Sequence, residues 1–233
     1  MKNSSPALYL YFTAGILFFL SIILNNETMT MIIKPIIVPS ILFYYLEKKK
    51  GKTNFWYVLI LLMFFASGVL NLFEDELAFV YVIIINALAY VTLSVFTIKH
   101  IISLELKIFN RFNLFYILFT VLFLLCLVYV IFFIVFDKNF QLYGFVILYS
   151  FALFLLTFSN TLLSSLNYNQ ANSYLMITIF CYLICDIFYA LYYYYLDLLF
   201  FRYVSIFCNV ISFYFLVHYF LSDKKQVESL ERY

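Results

Sequence analysis

Long apolar runs, each close to the length that crosses a bilayer's hydrocarbon core, alternate with short polar breaks along nearly the whole chain. They predict eight membrane helices, at about residues 6–24, 28–46, 55–73, 77–98, 114–136, 142–163, 174–196 and 199–221. The breaks are brief and charged: Glu47 to Lys52, Glu74-Asp75-Glu76 and, longest of all, Lys99 to Asn113. A short charged tail follows the last run. No break has room for a soluble domain, so the pattern predicts an all-α polytopic membrane protein, residues 1–233 forming a single bundle of eight transmembrane helices.

Composition agrees with that reading. Hydrophobic residues make up 67% of the chain and charged ones 11%, where a soluble domain averages about 45–50% apolar. The net charge of +2 comes from basic residues scattered through short loops, so no nucleic-acid partner is implied. The 31 Phe and 23 Tyr residues read as lipid-facing filler and interfacial belts, Tyr192 to Tyr195 among them. Cys126, Cys181, Cys185 and Cys208 all fall in apolar runs and read as small buried hydrophobes, not as disulfides or ligands. His100 and His218, at helix ends, make no zinc set with them. No metal and no cofactor is expected, and no phosphate loop or nucleophile elbow is present.

Lys and Arg in short loops set orientation. With the N-terminus in the cytoplasm, eleven of them lie inside, only Lys138 and Arg202 lie outside, and Lys34 falls within a span. Both termini are therefore expected in the cytoplasm. The first run, preceded by Lys2, is long and lacks a small-x-small cleavage site, and is read as a helix that stays in the membrane. A four-plus-four division, with the third and seventh helices running the same way, is one further plan the pattern permits.

Among the polar residues within the apolar runs, five are singled out: Lys34, Asn71, Asn86, Asp186 and Asn209. Counting about 1.5 Å per helical residue from the outer ends places four of them at depths of roughly 10–15 Å, with Asn71 shallower at about 4 Å. They are expected to converge in the outer half of the bundle. Any one asparagine is explained by a hydrogen bond between helices, and Lys34 by snorkelling along its own stem. Pro35 and Pro39 on the second helix free backbone carbonyls that a polar site can use. Asp186 is the exception. A carboxylate near mid-span costs several kcal/mol unless it faces protein or water, so it marks function and calls for a partner.

At Lys34-Pro35-x-x-x-Pro39 and at Cys185-Asp186 the chain resembles the lysoplasmalogenase (YhhN-like) family of eight-helix membrane proteins, over nearly its whole length. That family carries a Ser-x-x-Gly-Asp motif on the third helix, His-x-x-Tyr on the fourth and Ser-Asp on the seventh. Here Ser67 is followed by Leu70 and Asn71 in place of the glycine and aspartate, Tyr90 follows Ala87 in place of the histidine, and Cys185 precedes a retained Asp186.

The resemblance implies hydrolysis of the vinyl ether bond of lysoplasmalogens. Such a reaction begins with protonation of an alkene carbon, and the oxocarbenium ion is then trapped by water, which calls for an acid and a base or anionic stabiliser. Asp186 is the expected acid and Asn71 the second candidate catalytic position. Lys34 is the expected phosphate anchor; Asn86, Tyr90, Tyr182 and Asn209 complete the substrate-binding set. The expected partner is a membrane lipid or lysolipid, the expected location a bacterial cell membrane; the oligomeric state is left open. Asn71 orients water but takes up no proton, so two other readings stay open: a non-catalytic lipid-binding or sensing protein, and a small proton-coupled transporter in which Lys34 and Asp186 form a breakable ion pair. A retinal protein is disfavoured, because the only intramembrane lysine is off-centre on the second helix.

Overall fold

A computed structural model of the chain describes residues 5–49, 53–73, 75–104, 111–136, 143–167 and 169–230. Among these residues the backbone forms eight helices: α1 (Pro6–Ile23), α2 (Glu27–Lys48), α3 (Phe55–Leu70), α4 (Glu76–Ser103), α5 (Arg111–Phe136), α6 (Tyr143–Leu166), α7 (Gln170–Ala190) and α8 (Leu199–Leu230). Seven contain stretches long and apolar enough to cross a membrane, and α3 is a shorter apolar helix. The architecture is therefore all-helical and polytopic.

Local chemistry sets several boundaries. The side chains of Asn26, Asn54 and Asn169 accept backbone N–H bonds at the starts of α2, α3 and α7, satisfying donors that a helix start leaves open. Helix α3 ends at Leu70, three residues before the expected limit, because the chain turns at Asn71, whose N–H still bonds the Ser67 carbonyl at 3.0 Å. At the other extreme, α4 continues to Ser103 and α8 to Leu230, so part of the long connection and of the charged tail is helical. In the tail, Lys224, Lys225, Gln226 and Glu228 are good helix formers. Much of the orienting charge, including Lys2, Lys50, Lys52, Lys107, Lys138 and Arg232, lies outside the described residues.

Helix α2 runs through both Pro35 and Pro39. Each removes an N–H from the ladder, freeing the carbonyls of Met31 and Pro35. Helix α7 gives way at its outer end to a π-helical turn, Leu191–Tyr195, closed by the Leu196 N–H on the Leu191 carbonyl at 2.8 Å.

Six helices close a ring in the order α2, α3, α4, α6, α7, α8 and back to α2. Helix α1 leans on α2 and α8 from outside; α5 leans on α6 and α7. This is a four-plus-four plan. The packings of α1 on α2, α2 on α3, α3 on α4 and α4 on α6 correspond to those of α5 on α6, α6 on α7, α7 on α8 and α8 on α2. With four helices in each half, corresponding helices run in the same direction, the arrangement of parallel repeats about an axis along the membrane normal. The correspondence is incomplete, as α1 touches α8 while α5 leans on α7 instead.

Helix α1 approaches α8 closely at Gly15, where an added Cβ would stand 2.9 Å from the Val210 Cγ1. The Tyr11 hydroxyl donates to the Val210 carbonyl beside it. By contrast α5 is apolar all round and turns most of its described side chains outward, Cys126 included. Cys126 thus departs from the buried position expected of the cysteines: α5 lies outside the ring, so its middle faces lipid. Cys181 is buried, and Cys185 and Cys208 are half-buried.

Candidate functional site

Each helix of the ring buries one stripe of side chains, spaced three and four residues apart. On α7 the stripe is Leu175, Ile179 and Tyr182, and Asp186 is its next member outward. On α8 the buried Ser205, Ser212, Phe213 and Leu216 flank Asn209 on both sides. Lys34 continues the stripe of Ile37 and Ile41 on α2; Asn71 continues that of Ile60, Phe64 and Ser67 on α3; Asn86 lies between Val82 and Tyr90 on α4. Lys34, Asn86, Asp186 and Asn209 therefore lie on inward stripes, and Asn71 stands at the end of α3 beside them.

A floor lies beneath them. Phe64 packs against Tyr90, Tyr182 and Phe213 with ring centroids 6.0, 5.5 and 5.6 Å away, and Tyr90 meets Tyr182 at 5.3 Å. These four rings come from α3, α4, α7 and α8, and all belong to the buried core. Asn86, Asp186 and Asn209 stand four residues from Tyr90, Tyr182 and Phe213, each in its helix's outward direction, hence about 6 Å above the floor.

Accessibility changes across that step. The floor residues are buried, whereas Lys34, Asn71, Asn86 and Asp186 are half-buried and Asn209 is exposed. An exposed residue at the centre of an inward stripe has open space in front of it. Gly68, one turn outward from Phe64, agrees: a Cβ there would meet nothing within 4 Å. Above the floor the ring is thus less tightly filled, and we term this polar region the chamber. Above it Phe79 of α4 stacks with Tyr189 and Tyr193 of α7 and its π turn, each at a centroid distance of 6.4 Å, and the two tyrosines stack on each other at 6.0 Å.

Within the chamber the structure supplies a partner for Asp186 that sequence reasoning missed. Tyr149 of α6 donates its hydroxyl to Asp186 Oδ2 at 2.7 Å, and the Tyr90 hydroxyl lies 3.2 Å from that of Tyr149. Tyr149 has a single proton and gives it to the carboxylate, so Tyr90 is the donor in the second bond. The outcome is a directed chain, Tyr90 to Tyr149 to Asp186, drawn from three helices. Nothing distinguishes Tyr149 in a sequence with 23 tyrosines except its depth on α6.

Lys34 reaches toward the end of α3. Its Nζ lies 3.5 Å from the backbone carbonyl of Asn71, while Tyr149, not Lys34, donates the hydrogen bond to Asp186. Asn71 enters the site through its main chain, at the end of α3. The Asn86 Oδ1 is buried with no hydrogen-bond partner, and so is the Tyr182 hydroxyl, although Ser212 stands on its side. Cys185, next to the acid, has its sulfur 3.3 Å from the Ser205 hydroxyl, which ties α7 to α8 just beside the chamber.

No family model, characterised protein or solved structure matches the chain. The chamber must therefore be argued from its own chemistry. It combines one carboxylate held by a phenol, one amine, two side-chain amides and an aromatic floor. Among the described residues no group of three His, Cys, Asp or Glu side chains is placed to hold a metal ion.

Proposed function

We propose that this chain is a YhhN-like membrane protein that takes a lysolipid into the chamber and hydrolyses its vinyl ether bond, with Asp186 as the acid. The observation that carries the reading is the position of Asp186. It is the only carboxylate on an inward stripe among the described residues, half-buried, one turn above an aromatic floor and level with Asn86 and Asn209.

The proposed reaction uses one oxygen of Asp186 for the proton and the other for the Tyr149 hydrogen bond. The acid protonates the alkene carbon remote from the ether oxygen, leaving an oxocarbenium ion and a carboxylate. Tyr149 stabilises that carboxylate. Water then adds to the cation and returns a proton to Asp186, and the hemiacetal breaks down to a fatty aldehyde and a glycerophospho-alcohol. Lys34, one wall away beside the Asn71 carbonyl, is suited to the phosphate as a point charge.

A non-catalytic lipid-binding role is the second reading, favoured by Asn71, which brings a backbone carbonyl to Lys34 and no second carboxylate to the chamber. The asymmetry of Lys and Arg in the loops supports an orientation with both termini in the cytoplasm, and the proposed location is a bacterial cell membrane. The test is aldehyde release from lysoplasmalogen by the purified protein in lipid nanodiscs. The catalytic reading expects release that Asp186→Asn abolishes; lysolipid binding without release identifies the second reading, and release unchanged in Asp186→Asn removes Asp186 from the mechanism.

A further inference from the structure

The four-plus-four plan pairs positions as well as helices. Phe64 on α3 corresponds to Tyr182 on α7, since each is the floor ring of the third helix in its half. Tyr90 and Phe213 correspond in the same way on the fourth helices, and each has an asparagine four residues before it, Asn86 and Asn209. Four residues beyond Phe64 is Gly68; four residues beyond Tyr182 is Asp186. Helices α3 and α7 run the same way, and their floor rings touch with centroids 5.5 Å apart, so Gly68 and Asp186 face each other across the chamber at one level.

The two positions are opposites in content. One carries the acid, the other no side chain, and a Cβ placed there would meet nothing within 4 Å. Resting on the functional reading above, we propose that Gly68 is the specificity-determining position of the chamber: the ligand segment presented to Asp186 occupies the room that Gly68 leaves, and a bulky side chain there displaces it.

The proposal separates ligand room from helix stability. Leu in a helix interior has a higher propensity than Gly, so Gly68→Leu strengthens α3 locally while filling the chamber. Leu62, exposed on the outer face of the same helix, gives a matched control in Leu62→Phe. The experiment measures binding of a lysophospholipid with an unbranched chain to full-length protein in nanodiscs, alongside labelling of Gly68→Cys by a small charged methanethiosulfonate over the labelling of the unsubstituted protein.

The expected result is rapid labelling of Gly68→Cys, at least a tenfold loss of binding in Gly68→Leu with Tm unchanged or raised, and no loss in Leu62→Phe. Binding in Gly68→Leu equal to that of the unsubstituted protein overturns the proposal, as does a Gly68→Cys that resists the reagent. If the unsubstituted protein binds no lysolipid, the functional reading fails by itself, and the labelling still decides whether Gly68 borders open space.

Discussion

Tyr149 and Asp186, on neighbouring helices of the ring, are joined by a 2.7 Å hydrogen bond in which the phenol is the donor. The bond answers the main physical objection to Asp186, that a carboxylate inside a membrane protein needs a partner. It also fixes the use of the two carboxylate oxygens. One is engaged by Tyr149 and the other is left for the chamber.

Tyr149→Phe keeps the ring that packs 5.5 Å from Tyr90 and removes only the hydroxyl. It strands both the carboxylate and the Tyr90 donor. Loss of a hydrogen bond to a charged group costs about 1.5–3 kcal/mol, so aldehyde release is expected to fall about ten- to hundredfold with the helical fold retained. Rate measurements paired with circular dichroism check this.

Asn86→Leu is expected to have opposite effects on stability and on binding. The Asn86 Oδ1 is buried without a partner, and an unsatisfied buried acceptor costs about 1–3 kcal/mol. Replacing it with an apolar side chain of similar size should raise Tm, by about 2–4 °C for each kcal/mol recovered, and, on the proposal that the acceptor serves a ligand, weaken lysolipid binding. A lowered Tm with binding intact would assign Asn86 to helix packing alone.

Lys34→Met tests the phosphate anchor. The substitution preserves length and apolar stem, so the helix should remain, while lysophospholipid affinity drops about ten- to hundredfold. The uncharged monoacylglycerol counterpart should bind both proteins alike. Equal loss for both ligands would show that Lys34 shapes the chamber without reading charge.

Much of this arrangement was legible in the sequence. The helices followed from hydropathy and length, and the inward direction of Lys34, Asn86, Asp186 and Asn209 followed from a period of 3.6 because each lies three or four residues from apolar positions that had to be buried. What the sequence hid was lateral. Which helix borders which depends on packing across the ring, so neither Tyr149, one among so many tyrosines, nor the approach of Lys34 to the Asn71 carbonyl could be chosen in advance. The end of α3 at Leu70 was hidden too. Leu72 and Phe73 continue the apolar pattern although the backbone has already turned.

Gly15→Val probes the scaffold apart from the site. The Cβ alone would stand 2.9 Å from Val210, and a branched side chain would push α1 from α8 and disturb the Tyr11 bond to the Val210 carbonyl. Overpacking of this kind costs about 1–3 kcal/mol. A lower Tm, read by thermal unfolding in detergent, is expected, with the affinity of the surviving folded protein for lysolipid little changed.

The most direct test is an experimental structure of the protein in a lipid nanodisc with a non-hydrolysable alkyl-ether lysophospholipid. The account expects the ether oxygen within hydrogen-bonding distance of Asp186, the phosphate beside Lys34 and the chain passing Gly68 above the Phe64–Tyr182 floor. A lysolipid found only on the outer surface of the bundle, with Asp186 turned toward acyl chains or the space before it filled by protein, would contradict it.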